Sequence, residues 1–180
     1  MTHHPTPLAT RGVGEVAFAE SLPETVAAVF WWLTHLGNPY LLLSLVALGY
    51  LLGDRAGLPR RSAAFALGLG LCAIGLTIGL KHLFALPRPP VSYRAGYGFP
   101  SGHALGSTTF WGGVAVLATR GRWRRRLGVA GVVVATVALS RVLIGVHYLA
   151  DVVAGVGVGI AFLAVVFAGG PGVSLRERTG

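Results

Sequence analysis

The stretch SRVLIGVHYLAD, residues 140–151, carries an arginine, a histidine and an aspartate among leucines, valines and an isoleucine. His147 and Asp151 stand at i and i+4, so on a helix they lie one above the other on the same side. A carboxylate in that place accepts the ring N–H, fixes the tautomer and leaves the other nitrogen free as a nucleophile. Taken alone, the pair could equally be a structural polar contact tying two helices together. Arg141 belongs to the last turn of the preceding helix. On one unbroken helix it would stand about 120° from His147, and a break near Gly145 lets the two converge.

A second group lies in KHLFALPRPP, where Lys81 and Arg88 are seven residues apart. On one helix they would be about 20° out of phase and roughly 10 Å apart along the axis, so both cations can face one site. Pro87, Pro89 and Pro90 end the helix and stiffen the exit. His82 falls off that face and is read as non-catalytic. The third group is GFPSGHALG: Ser101 is expected to cap a helix, Gly102 lets the backbone approach a ligand, the first free amides make an anion site, and His103 stands at its edge. Lys81, Arg88, Arg141, a helix N-terminus and two histidines therefore make an anion site with an acid and a base, suited to a tetrahedral oxyanion such as phosphate.

The segments K-x6-RP (Lys81 to Pro89), PSGH (Pro100 to His103) and SR-x5-H-x3-D (Ser140 to Asp151), in that order, resemble the three signature motifs of the type 2 phosphatidic acid phosphatases. That superfamily includes lipid phosphate phosphatases, bacterial undecaprenyl-diphosphate phosphatases, glucose-6-phosphatase and vanadium haloperoxidases. The resemblance covers about residues 39 to 168. It implies that His147 attacks phosphorus to give a phosphohistidine with Asp151 holding its ring. His103 would protonate the leaving oxygen and then activate water. Lys81, Arg88, Ser101, Gly102 and Arg141 would bind the phosphoryl oxygens, with no metal and no cofactor. The implied substrate is a lipid phosphate or diphosphate at the extracytoplasmic face. A prenyl, undecaprenyl-like diphosphate is favoured by the short chain and the PSGH context, with phosphatidate and phosphatidylglycerol phosphate as alternatives. Two readings from other classes stand beside it: a zinc site built from His103, His147 and Asp151, against which three nearby cations count, and a non-enzymatic lipid-phosphate binding or transport protein.

These residues must be positioned by elements that live in lipid. The chain of 180 residues is 53% hydrophobic and 12% charged, and its mean hydropathy of +0.67 fits the membrane class. The net charge of +9 is concentrated, with ten of the fifteen basic residues being Arg55, Arg60, Arg61, Arg120, Arg122, Arg124, Arg125, Arg126, Arg176 and Arg178. Short arginine-rich segments between apolar runs read as cytoplasmic loops, not as a nucleic-acid surface, because nothing resembling an RNA-stacking platform accompanies them. A single cysteine, Cys72, excludes an intramolecular disulfide.

The expected fold is an all-α integral membrane protein, a bundle of five transmembrane helices with an N-terminal interfacial helix over PETVAAVFWWLTHLG. That first helix has an alternative as a sixth span joined to the next across Gly37, Asn38 and Pro39. The five spans are Pro39–Gly53, Ser62–Leu86, Ala104–Thr119, Leu127 to about Gly145, and Asp151 to about Phe167. Residues 1–22 are expected as a flexible tail, 23–170 as one domain and 171–180 as a cytoplasmic tail, with both polar motif regions on the extracytoplasmic side. Oligomeric state is not legible.

Overall fold

The computed structural model describes residues 12–169. Most of the expected N-terminal tail, including His3 and His4, and the C-terminal tail with Arg176 and Arg178 lie outside the described residues. Every regular element among those described is helical: α1 (Glu15–Glu20), α2 (Glu24–Leu33), α3 (Pro39–Leu52), α4 (Arg60–Phe84), α5 (Gly102–Leu117), α6 (Trp123–Leu143) and α7 (Leu149–Gly169). Single 3₁₀ turns, Thr34–Gly37 and Gly53–Ala56, flank α3. Helix α1 falls within the stretch expected as tail.

The boundaries follow from local chemistry. The Asn38 side chain accepts the Tyr40 amide at 2.9 Å, and Pro39 occupies the first turn, so α3 starts on a side-chain cap and a pre-set φ. Helix α4 ends at Phe84, where Ala85 takes a left-handed φ of 47° ahead of the proline run. Arg88 is therefore not on the helix of Lys81, and the expected shared face is replaced by a loop that returns Arg88 to the site. Helix α6 begins at Trp123, four residues before the expected Leu127, and takes Arg124, Arg125 and Arg126 into its first turn. Those cations oppose the helix dipole. Arg126 offsets this by donating to the carbonyls of Ala118 and Arg120.

Helix α5 is the central element, packed on α4, α6 and α7. Ala104, Leu105, Thr109 and Phe110 are buried along it, and the Thr108 hydroxyl turns back to the Ala104 carbonyl at 2.7 Å. Close approach of α7 depends on glycine. A Cβ at Gly155 would lie 2.6 Å from the Ser101 carbonyl oxygen, and one at Gly159 would lie 2.8 Å from Thr108 Cβ. Small residues at the contact are how helices associate where lipid offers no hydrophobic drive. Outward faces carry Leu71, Ile78, Val132, Ile160 and Val165, all exposed, an apolar mantle that only lipid accommodates.

Three helices, α4, α6 and α7, are each long and apolar enough to cross a membrane. A fourth span results if α2 and α3, which meet at a 47° bend, count as one broken span. The bend lies at the expected Gly37–Pro39 junction. Helix α5, expected as a full span, has only 16 residues, about 24 Å at 1.5 Å per residue. The ends of the helices sort the charges. The C-terminal ends of α4 and α6 and the N-terminal ends of α5 and α7 share one end of the bundle. At the other, Arg120 donates to the Arg55 carbonyl at 2.7 Å and the Thr119 amide to the Gly57 carbonyl at 2.9 Å, joining two arginine-rich segments.

Gly155→Ala is expected to lower the thermal midpoint in detergent by several degrees, since overpacking costs about 1–3 kcal/mol. Gly157→Ala, which meets no atom within 4 Å, should leave it unchanged or raise it. Equal midpoints for the two variants would contradict the α5–α7 contact.

Candidate active site

The turn between α6 and α7 builds the centre of the candidate site. Gly145, at φ 71°, reverses the chain, and the amides of Val146 and His147 both donate to the Arg141 carbonyl at 3.2 Å, so the helix end that carries Arg141 also fixes the backbone of His147. His147 Nδ1 lies 3.3 Å from Asp151 Oδ2, which also accepts the Tyr148 amide at 3.1 Å. On its other side, His147 Nε2 lies 3.0 Å from Arg88 Nη1. A guanidinium only donates and a carboxylate only accepts, so the ring carries its proton on Nδ1 and presents the Nε2 lone pair to Arg88. Arg141, His147 and Asp151 are 1%, 2% and 0% exposed.

The cations arrive from separate elements. Lys81, one turn before the end of α4, donates to the carbonyls of Tyr97 at 2.6 Å and Gly98 at 3.3 Å. Arg88, in the loop, also donates to the Val146 carbonyl at 3.0 Å, and Arg141 donates to Thr34 Oγ1 at 2.8 Å. Ser101 occupies the N-cap position of α5, yet its hydroxyl makes no capping bond, a departure from expectation. Its amide instead donates to the Asp151 carbonyl at 2.8 Å, binding this helix start to α7. Gly102 lies close under Lys81: a Cβ there would stand 4.0 Å from Lys81 Cε and 2.9 Å from Thr77 Cγ2. His103 lies within reach of the charges of Arg141, Arg94 and Arg88 and of the His147 ring. All eight expected site residues thus sit at one end of the bundle. Among the described residues, no group of three His, Cys, Asp or Glu side chains could hold a metal ion, so the zinc set of His103, His147 and Asp151 is not assembled. His82 points away and meets Tyr97 edge-on at 5.6 Å.

Three buried polar atoms in this cluster have no hydrogen-bond partner among the described residues: Arg88 Nε, Ser101 Oγ and Arg141 Nε. Leaving such donors unpaired costs about 1–3 kcal/mol each, and more when charged. Beside them an apolar groove of about 250 Å³ runs between α3, α4 and α5, past Leu42, Val46, Ala73 and Ile78, and ends at Lys81, Gly102 and His103.

Two contributors are absent from the three motifs. Gly98 permits the loop to close on the centre, since a Cβ there would lie 3.1 Å from Asp151 Oδ2 and 3.2 Å from Arg88 Cα. Thr34 is the acceptor for Arg141 across 107 residues of sequence, a contact with no local signal. Tyr93 and Arg94, in the loop between α4 and α5, lie close enough to Arg141 to act on its charge.

A family model described as the PAP2 superfamily matches residues 61–172. The chain belongs to the PAP2 superfamily. Undecaprenyl-diphosphatase from Sulfolobus acidocaldarius is 45% identical over 71 residues, covering 38% of this chain and 32% of that relative, so the likeness spans about a third of the relative's length. The transmembrane PAP2 type phosphatidylglycerolphosphate phosphatase from Bacillus subtilis has the same fold, with a TM-score of 0.76 at 22% identity over 86% of this chain and 83% of that one. LpxE from Aquifex aeolicus follows with a TM-score of 0.70 at 18% identity over 93% and 99%. The PAP2 match begins at Arg61, so it holds all three motifs, while Thr34 and the bent α2–α3 pair precede it.

Burial, opposed by the Asp151 hydrogen bond and reinforced by Arg88 and Arg141, pushes the His147 pKa down to about 4. An unfolded histidine takes its proton near pH 6.5. Between about 6.5 and 4 the unfolded PAP2 chain therefore binds a proton that the folded one does not, and stability falls as pH falls. The thermal midpoint in detergent should drop across that window, and less steeply in His147→Gln. Identical slopes would overturn the neutral ring.

Proposed function

We propose that this chain is a membrane phosphatase that removes phosphate from a lipid phosphate or diphosphate through a phosphohistidine. The observation that carries the reading is the line Arg88–His147–Asp151, which leaves the Nε2 lone pair as the one unprotonated ring position. Arg88 Nη1 transfers its hydrogen bond to a phosphoryl oxygen as substrate enters. Nε2 then attacks phosphorus, the bond from phosphorus to the leaving oxygen breaks, and His103 gives that oxygen a proton. In the second step His103 takes a proton from water, the water oxygen attacks phosphorus, the N–P bond breaks, and phosphate leaves.

Lys81, Arg88 and Arg141, with Ser101 and the Gly102 amide, hold the oxygens and oppose the charge that builds in the transition state. Support for their role comes from the unpaired donors on Arg88, Ser101 and Arg141, which three oxygens of a phosphoryl group would satisfy. Support for a lipid comes from the apolar groove that leads to Lys81 and His103, a path for a hydrocarbon tail whose headgroup reaches the cations.

We read the bundle as five crossings, with α5 as the enclosed central one and the α2–α3 bend at the membrane surface. The arginine-rich end faces the cytoplasm by the positive-inside rule, which puts the site on the extracytoplasmic side. Among substrates, a prenyl, undecaprenyl-like diphosphate is preferred, a choice supported by the name of the Sulfolobus relative. Phosphatidate and phosphatidylglycerol phosphate are the alternatives, and the Bacillus neighbour's name favours the latter.

Phosphate release from these three lipids in detergent tests the reading. His147→Ala should lose at least about a thousandfold in rate while remaining inserted, orthovanadate should inhibit, and EDTA should not. Full activity in His147→Ala removes the nucleophile assignment. Vanadate binding without release from any of the lipids would make the chain a lipid-phosphate binding protein instead.

A further inference from the structure

The 3₁₀ turn Thr34–Gly37 lies outside the three motifs and before the PAP2 match, yet it touches the site on both sides. Thr34 Oγ1 accepts from Arg141 Nη1 at 2.8 Å, with Thr34 only 4% exposed. The Leu36 carbonyl accepts from Trp111 Nε1 of α5 at 3.1 Å. At Gly37 a Cβ would lie 2.5 Å from Val137 Cγ1, 3.3 Å from the His103 carbonyl oxygen and 3.5 Å from His103 Cδ2. One turn therefore holds a hydroxyl against the arginine of α6 and a bare backbone against the histidine of α5.

A guanidinium is a planar fork, so holding one corner restricts the directions open to the remaining N–H groups. Arg141 is buried, its Nη1 is taken by Thr34, Tyr93 acts on it from the loop, and its Nε has no partner among the described residues. Thr34 lies at the end of α2, just before the 47° bend between α2 and α3. We infer that Thr34 is a positioning residue: by accepting from Nη1 it turns the Arg141 guanidinium so that its remaining donors meet the phosphoryl group. The inference rests on the reading of Arg141 as a phosphoryl ligand. It makes the N-terminal bent pair a working part of the site and not only a membrane anchor.

Thr34→Val keeps the shape and removes the acceptor, while Thr34→Ser keeps the acceptor. Both are compared with wild type as full-length protein in detergent, measuring kcat and KM for phosphate release, the vanadate inhibition constant and the thermal midpoint. Thr34→Val should weaken vanadate inhibition and lower kcat/KM about tenfold, the scale of one lost hydrogen bond to a charged group. Thr34→Ser should stay within about twofold of wild type, and in an Arg141→Lys background Thr34→Val should add no more than about twofold. A Thr34→Val protein that loses only thermal stability, with its vanadate constant unchanged, would make Thr34 a structural tie and overturn the inference while leaving the phosphatase reading in place. An equal loss in the Arg141→Lys background would overturn it as well. Wild type that neither releases phosphate nor binds vanadate takes both readings down together.

Discussion

Charged groups at the end of an apolar bundle are tolerated only when each is held by a partner, because low-dielectric surroundings penalise every unpaired charge. Arg141 and Asp151, almost fully buried, are where that constraint bears hardest. Asp151 is engaged by the His147 ring and the Tyr148 amide, and its own carbonyl accepts from Ser101. Arg141 uses its carbonyl to receive the amides of Val146 and His147 and its guanidinium to reach Thr34. The same contacts that make burial tolerable give the imidazole a defined tautomer and direction.

The second constraint is distance between backbones. Elements of α4, α5, α6 and α7 must come close enough for side chains of different lengths to meet at one place. Glycine supplies this at Gly155 and Gly159 on α7 and at Gly102 beneath Lys81. The buried hydroxyls of Ser107 and Thr108 fold back on the Ala104 carbonyl of their own helix, so the central helix stays narrow without stranding them. The outer faces of α4, α6 and α7 carry the bulk that the interior lacks, which suits a protein whose solvent on those faces is hydrocarbon.

The loop from Pro87 to Pro100 shows how a short connection does the work of a helix. The sequence spacing of Lys81 and Arg88 reads as one helical face, but the left-handed Ala85 ends α4 first. Arg88 reaches the site because the loop folds back, with the Gly98 amide donating to the Leu86 carbonyl at 2.8 Å and Lys81 holding the carbonyls of Tyr97 and Gly98. A spacing argument picked two residues that do meet at one place, for a partly wrong geometric reason: cations that face one site need not share one element.

By itself the sequence determined the class and marked out the candidate site. Apolar runs fix a helical membrane protein because backbone groups in lipid must bond within their own segment, and ionisable residues interrupting such runs mark a site because their burial needs a reason. His147 and Asp151 were legible because they stand only four residues apart, a local relation, although His147 lies in the turn before α7 and not on the helix itself. Only the tertiary structure decided that Ser101 gives its amide to α7 instead of its hydroxyl to α5, that α2 and α3 bend at 47°, and that Thr34 is the partner of Arg141. Those facts depend on which helices are neighbours and how closely they approach, and contacts across a hundred residues leave no periodicity in the chain to read.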